Sequence, residues 1–216
     1  MSDSLITSWT QFEVPPTSED SIQSSLFEPL LPFKADFHDT FYGRIAENGA
    51  FHGELATNLA KQSSSDLAAT TKIIDFGKVA YWWRLGVNTE FRTVYFPVAT
   101  SSQTRDAVTS LKGLVLTMGM GIDGSKAHMS PYSGFPTCGW IEGTQTWGNQ
   151  DVSACTWCHV WKHKVSEETF KTTERRVPQD GESYRPLSLE VFEQGLKALG
   201  AVGWEDVHVD FERVQM

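Results

Sequence analysis

The sequence predicts an α+β fold, on three observations. Residues 91–214 alternate strand-like and helix-like periodicity in the order strand, helix, strand, strand, helix, strand. Residues 1–89 carry a similar cast in a similar order. Most of the eight tryptophans fall in strand-like segments, where large stiff rings line cores and also pockets for flat ligands. The order in the second half is the ferredoxin-like one. The chain therefore divides into a divergent ferredoxin-like half, 1–89, and a ferredoxin-like half, 90–216, together forming one compact unit. No residue-level repeat is detectable, so the duplication rests on element order alone.

In the first half, 8–14 reads as a strand ended by Pro15 and Pro16, and 21–31 as a helix broken by Pro29 and Pro32. Strands follow at 37–47 and 73–85, with a short helix at 55–62 between them. In the second half, β-branched and aromatic residues make 92–98 a strand. Ser101 and Ser102 offer N-caps. Apolar residues at Ala107, Val108, Leu111, Leu114, Val115 and Met118 then keep helical spacing until Gly119 and Gly121. Strands are expected at 138–142 and 154–161. Ser166 should cap a helix through Arg176, with Val165 and Phe170 as a hydrophobic staple. Ser188 caps a helix whose apolar face is Leu189, Phe192, Leu196 and Leu199, stopped by Gly200. Residues 204–214 form the last strand.

Composition bounds the partners. The 216 residues are 40% hydrophobic and 21% charged, an ordinary globular balance that can bury a core without disulfides or metal. A net charge of −9 argues against nucleic acid or an anionic membrane as partner. The N-terminus lacks a basic n-region and a long apolar run, and no segment approaches the ~20 apolar residues a membrane helix needs. Three cysteines leave at least one unpaired, which suits a reducing, cytoplasmic setting.

Two stretches carry a family resemblance. Residues 161–170 (WKHKVSEETF), with Trp161, Ser166 and Phe170, resemble antibiotic-biosynthesis-monooxygenase-like domains. Residues 202–211 (VGWEDVHVDF) resemble the last strand of fungal proteins carrying two such domains in tandem. Those belong to the dimeric α+β barrel superfamily, whose two sheets pack face to face around a pocket. The resemblance implies two ferredoxin-like repeats in one chain forming an α+β barrel-like pocket. A second chain is then unnecessary for the pocket, although a homo-oligomer through sheet edges or helices stays open.

Strand alternation nominates the chemistry. Val207, Val209 and Phe211 point one way, His208, Asp210 and Glu212 the other. With the apolar face on the helices, the polar face would look into the implied pocket. His208 is then the acid/base and Asp210 its orienting partner; a solvated strand face is the competing reading. Trp157, His159 and Trp161 share a face and could wall an aromatic ligand, or pack as an aromatic core around a hydrogen-bonded histidine. In the first half, His38, Tyr42 and Arg44 share one side of a strand, and Trp82 and Arg84 share a face in a later one. An arginine beside a tyrosine can hold a phenolate or carboxylate, or be a structural pair.

Other motifs point away from cofactors. Cys155, Cys158 and His159 match the haem-attachment spacing, but a strand puts the cysteines on opposite faces. The same strand would scatter a zinc set of Cys155, Cys158, His159 and His163. Gly119, Gly121 and Gly124 follow a helix instead of opening one, the wrong order for a phosphate cradle. The expectation is a cofactor-independent enzyme, without metal, on a small hydrophobic or aromatic substrate. It would assist cyclisation or isomerisation of an aromatic or polyketide-like intermediate of secondary metabolism by moving protons. The alternatives are a cofactor-free monooxygenase on an electron-rich phenol or anthrone, and a non-catalytic stress-response or ligand-binding protein.

Overall fold

A computed structural model describes residues 6–12, 41–45, 51–53, 69–76, 85–111, 136–172 and 188–213. The first half supplies β1 (Ile6–Phe12), β2 (Phe41–Ile45), β3 (Phe51–Gly53) and β4 (Ala69–Asp75). The second supplies β5 (Thr89–Pro97), α1 (Ser102–Ser110), β6 (Thr137–Ile141), β7 (Gln145–Trp147) and β8 (Gln150–Val160). It closes with α2 (Lys164–Lys171), α3 (Ser188–Ala198) and β9 (Gly203–Arg213). The protein is α+β, as its periodicity predicts.

The pairings are antiparallel and form a ring. Within the second half the strands lie in the order β9-β5-β8-β6, and within the first in the order β4-β1-β3-β2. Among the described residues, two seams join them. β2 runs along β9 from Phe41↔Arg213 to Ile45↔Val209, and β4 meets β6 at Ile74↔Ile141 and Asp75↔Trp140. Ring closure leaves the short β7, attached to the start of β8, as the edge strand.

Each face of this sheet has its own core. Outside, Val94, Phe96, Cys155, Trp157 and Trp161 pack under Val108 of α1, Phe170 of α2 and Phe192 and Leu196 of α3. Inside, Phe91, Tyr95, Cys158, Val209 and Phe211 meet Ile74 of β4 and Phe76 just after it, with Trp9 of β1 packed against them. Trp9 stands edge-on to Phe91 at 4.0 Å between ring centroids. This corrects the expected orientation of β9. Its apolar face fills the ring's interior, and its polar face, with His208, turns to the helices. The reason is that the ring needs apolar filling from both halves, while α2 and α3 present charged side chains to the sheet.

Several local expectations change too. Ser101 does cap α1, its Oγ accepting from the Thr104 N–H, but the helix ends at Ser110 because Leu111 is extended. The continuation expected to Met118 lies outside the described residues, as do the helices expected at 21–31 and 55–62. α2 starts two residues before Ser166, with His163 at the N-cap and no side-chain cap. Val165 is 71% exposed, so it makes no staple with the buried Phe170. β3 and β7 were not expected. Gly200 ends α3 at φ +92°, a left-handed position that glycine takes without Cβ strain.

Candidate functional site

A row of three ionisable side chains crosses the outer face. Glu90, the second residue of β5, is registered with His159 of β8 on one side and His208 of β9 on the other. α2 covers this row and adds Glu167 and Lys171, one turn apart. Lys171 Nζ donates to Glu90 Oε1 (2.7 Å) and to Glu167 Oε1 (2.6 Å). Trp161 Nε1–H donates to Glu90 Oε2 at 2.8 Å, and His208 Nε2 lies 2.9 Å from Glu167 Oε1. Glu90 and His159 are fully buried, and His159 Nδ1 is 3.8 Å from Glu90 Oε2.

The electrostatics follow from that packing. Burial pushes the Glu90 carboxyl up, but attraction to His159 once that ring is protonated, and the charge and hydrogen bond of Lys171, outweigh it and hold it below the ordinary value. Burial drives His159 down to about 4, so at neutral pH it is uncharged and Lys171 is the counter-charge of Glu90. Glu167 is likewise held low: burial opposes this, and hydrogen bonds from His208 and Lys171 outweigh burial. Burial lowers Lys171, yet its two carboxylate neighbours raise it overall.

A pH dependence follows, with a definite sign. The unfolded chain protonates histidine near 6.5, which folded His159 resists until about 4, so stability falls as pH drops through that window. That shift corresponds to ~3 kcal/mol. Below the ordinary carboxylate value of 4.5, protonation of Glu90 and Glu167 removes more. Melting temperatures recorded from pH 7.5 to 4 should therefore decline throughout, and a flat profile would contradict this assignment.

A second ionic cluster lies beside the first. Arg92, 2% exposed, donates from Nε to Asp206 Oδ1 at 2.6 Å and from Nη2 to Oδ2, and reaches Glu193 of α3 at 3.3 Å. This two-point fork ties β5, β9 and α3 together.

A polar pair spans the end of the inner face, where Tyr95 is buried and Glu205 exposed. The Tyr95 hydroxyl donates to Glu205 Oε1. Burial, then the Glu205 carboxylate, push the phenol's pKa up. Trp147 stacks on Tyr95 at 4.3 Å and 20°. Gly203 permits this, since a Cβ there would stand 2.5 Å from Trp147 Nε1. Glu205 lies on the stretch of β9 before Val209, which pairs with β5 but not with β2, so this end of the interior opens toward solvent.

The residues nominated from sequence are dispersed. His208 is in the outer row, its Nε2 against Glu167, instead of facing the interior. Asp210 is exposed and accepts the Asn88 N–H (2.8 Å) at the left-handed turn entering β5. Trp157, His159 and Trp161 share a face as expected, but they are helix-side core, not the wall of an interior pocket. Trp157 Nε1–H donates to the Leu111 carbonyl, and its ring is edge-on to Phe192. Tyr42 and Arg44 lie on β2, their backbones opposite Glu212 and Asp210. His38, Trp82 and Arg84 lie outside the described residues.

Metal chemistry can be judged from the donors. Glu90, Glu167 and His208 bring three ligand atoms within 4.8 Å of one another. Lys171 already places its ammonium between the two carboxylates, so a metal would have to displace it. Cys155 and Cys158 do fall in opposite cores. Sequence reasoning passed over Glu90, Arg92, Tyr95, Glu167, Lys171 and Glu205. A signal existed: Glu90 and Arg92 are charges two apart in an otherwise apolar strand, and Glu167 and Lys171 form an i,i+4 pair.

No family model and no curated protein matches the chain. Among solved structures it is similar to an anthrone oxidase-like protein, with TM-score 0.48 and 11% identity over 99% of this chain and 95% of that one. At that score the likeness carries no argument about chemistry. Among the described residues, no helix is long and apolar enough to cross a membrane.

Proposed function

We propose that the protein is a small-molecule enzyme whose ligand binds at the solvent-facing end of the inner face, with Tyr95 and Glu205 as its proton-moving pair. In this reading 1–89 and 90–216 are two ferredoxin-like repeats of the dimeric α+β barrel kind, acting in the cytoplasm. The ligand is flat and aromatic or polyketide-like, and the reaction is a cofactor-independent cyclisation or isomerisation. The supporting observation is the Tyr95–Glu205 hydrogen bond on an aromatic-lined inner face, at the end where β9 lacks β2 as a partner. A phenol held by a carboxylate can donate a proton at one substrate atom while the carboxylate accepts one at another. Trp147 supplies a stacking surface beside it. His208 and Asp210, on the outer face, have no part in this chemistry.

The test uses an anthrone probe with an acidic C–H. The protein should catalyse exchange of that hydrogen for solvent deuterium, followed by NMR. Tyr95→Phe and Glu205→Gln should each reduce the rate by about 10²-fold or more while probe binding, read by tryptophan quenching, persists. Unchanged exchange in both variants would remove the pair from the mechanism. Oxygen uptake with the probe would move the reading to the cofactor-free monooxygenase.

A further inference from the structure

The outer core holds two thiols in an unusual relation. β6 and β8 pair with Cys138 opposite Trp157 and Trp140 opposite Cys155, which makes Cys138 and Cys155 diagonal neighbours on the helix-side face. Their sulfurs are 2.8 Å apart. That is within about 0.8 Å of a bonded pair. Cys155 is fully buried and Cys138 partly exposed. The Arg105 guanidinium of α1 lies over the Trp140 ring at 4.5 Å and donates to Ser153 Oγ at 3.1 Å. Burial and the neighbouring Cys138 raise the Cys155 thiol, and the Arg105 charge works against that. Cys158 lies in the inner core, and burial pushes its thiol up.

We propose that Cys138 and Cys155 are a dithiol site that a peroxide-class oxidant converts to an intrachain disulfide. Cys138, the more accessible, reacts first. Its sulfur attacks one peroxide oxygen, the O–O bond breaks, and the departing hydroxide leaves as water with the thiol proton. Cys138 is now a sulfenic acid. Cys155 sulfur then attacks Cys138 sulfur, the S–O bond breaks, and the hydroxide leaves as a second water with the Cys155 proton. Two thiols lose two electrons in all, and one peroxide becomes two waters. A small dithiol reverses the bond.

The experiment treats the folded chain with stoichiometric hydrogen peroxide, then alkylates and maps peptides without reduction. A 138–155 cross-linked peptide is expected, about two mass units below its reduced components and reversed by dithiothreitol. Cys158 should be alkylated only after unfolding. In Cys155→Ser the cross-link should vanish and a dimedone-trapped sulfenic acid should accumulate at Cys138. Three results overturn the site: Cys138 oxidised to sulfinic acid while Cys155 stays free, disulfides through Cys158 or a second chain, or no thiol loss before unfolding. Should the serine variant not fold, the wild-type map alone decides.

Discussion

Glu90→Ala is expected to destabilise the protein by about 3–5 kcal/mol. Glu90 has no exposed surface and takes hydrogen bonds from Lys171 Nζ and Trp161 Nε1. Removing the carboxylate leaves a buried indole N–H unpaired and takes one of two carboxylate partners from a largely buried ammonium. Lys171→Met should cost a similar amount by the opposite route, leaving Glu90 charged in an apolar core. The two losses should not add. With Glu90→Ala and Lys171→Met combined, neither charge is left without the other, so the double variant should be more stable than the sum of the singles predicts by well over ~1 kcal/mol. Urea unfolding of the four proteins gives this coupling directly. Single losses below ~1 kcal/mol would show that water reaches the cluster and that the row is a surface feature.

That cluster marks where sequence reading stops. Elements with one dominant period were legible: β5, β8, β9 and α3 appear close to where their apolar residues place them. What alternation in β9 cannot supply is the identity of each side. Val207, Val209 and Phe211 suit a helix layer as well as the inside of a ring, and the choice depends on partners distant in the chain. Trp9 and Ile74 settle it from inside, Glu167 and Lys171 from outside. Assigning His208 to a pocket thus failed at the tertiary step, although its strand and its face-mates were right. The Tyr95–Glu205 pair was hidden for a related reason. Both residues sit in strands, but a pair 110 positions apart becomes visible only once β5 and β9 are in register.

Gly139→Val should be the most damaging change at the β4–β6 seam. A Cβ on Gly139 would meet Ile74 Cγ2 at 2.7 Å, the Asp75 carbonyl oxygen at 2.8 Å and Phe76 Cδ1 at 2.9 Å. The carbonyl belongs to a paired strand and cannot rotate away, so the relief is for β4 and β6 to part. Overpacking of this kind costs about 1–3 kcal/mol, and the branched side chain should sit at the upper end. The damage should be local in character. Two registered pairs and the bond from Glu142 N–H to the Ile73 carbonyl (2.8 Å) hold this seam, against nine registered pairs between β5 and β8. Hydrogen exchange at Glu142 should therefore accelerate far more than at the β5–β8 amides. Gly195→Ala is the control, because its Cβ meets nothing within 4 Å in α3 and a helical alanine is worth ~0.5–1 kcal/mol over glycine. One added carbon should then stabilise α3, and a few more at residue 139 should open the ring. Equal protection at Glu142 in wild type and Gly139→Val would mean that the first and second halves do not depend on this seam to stay joined.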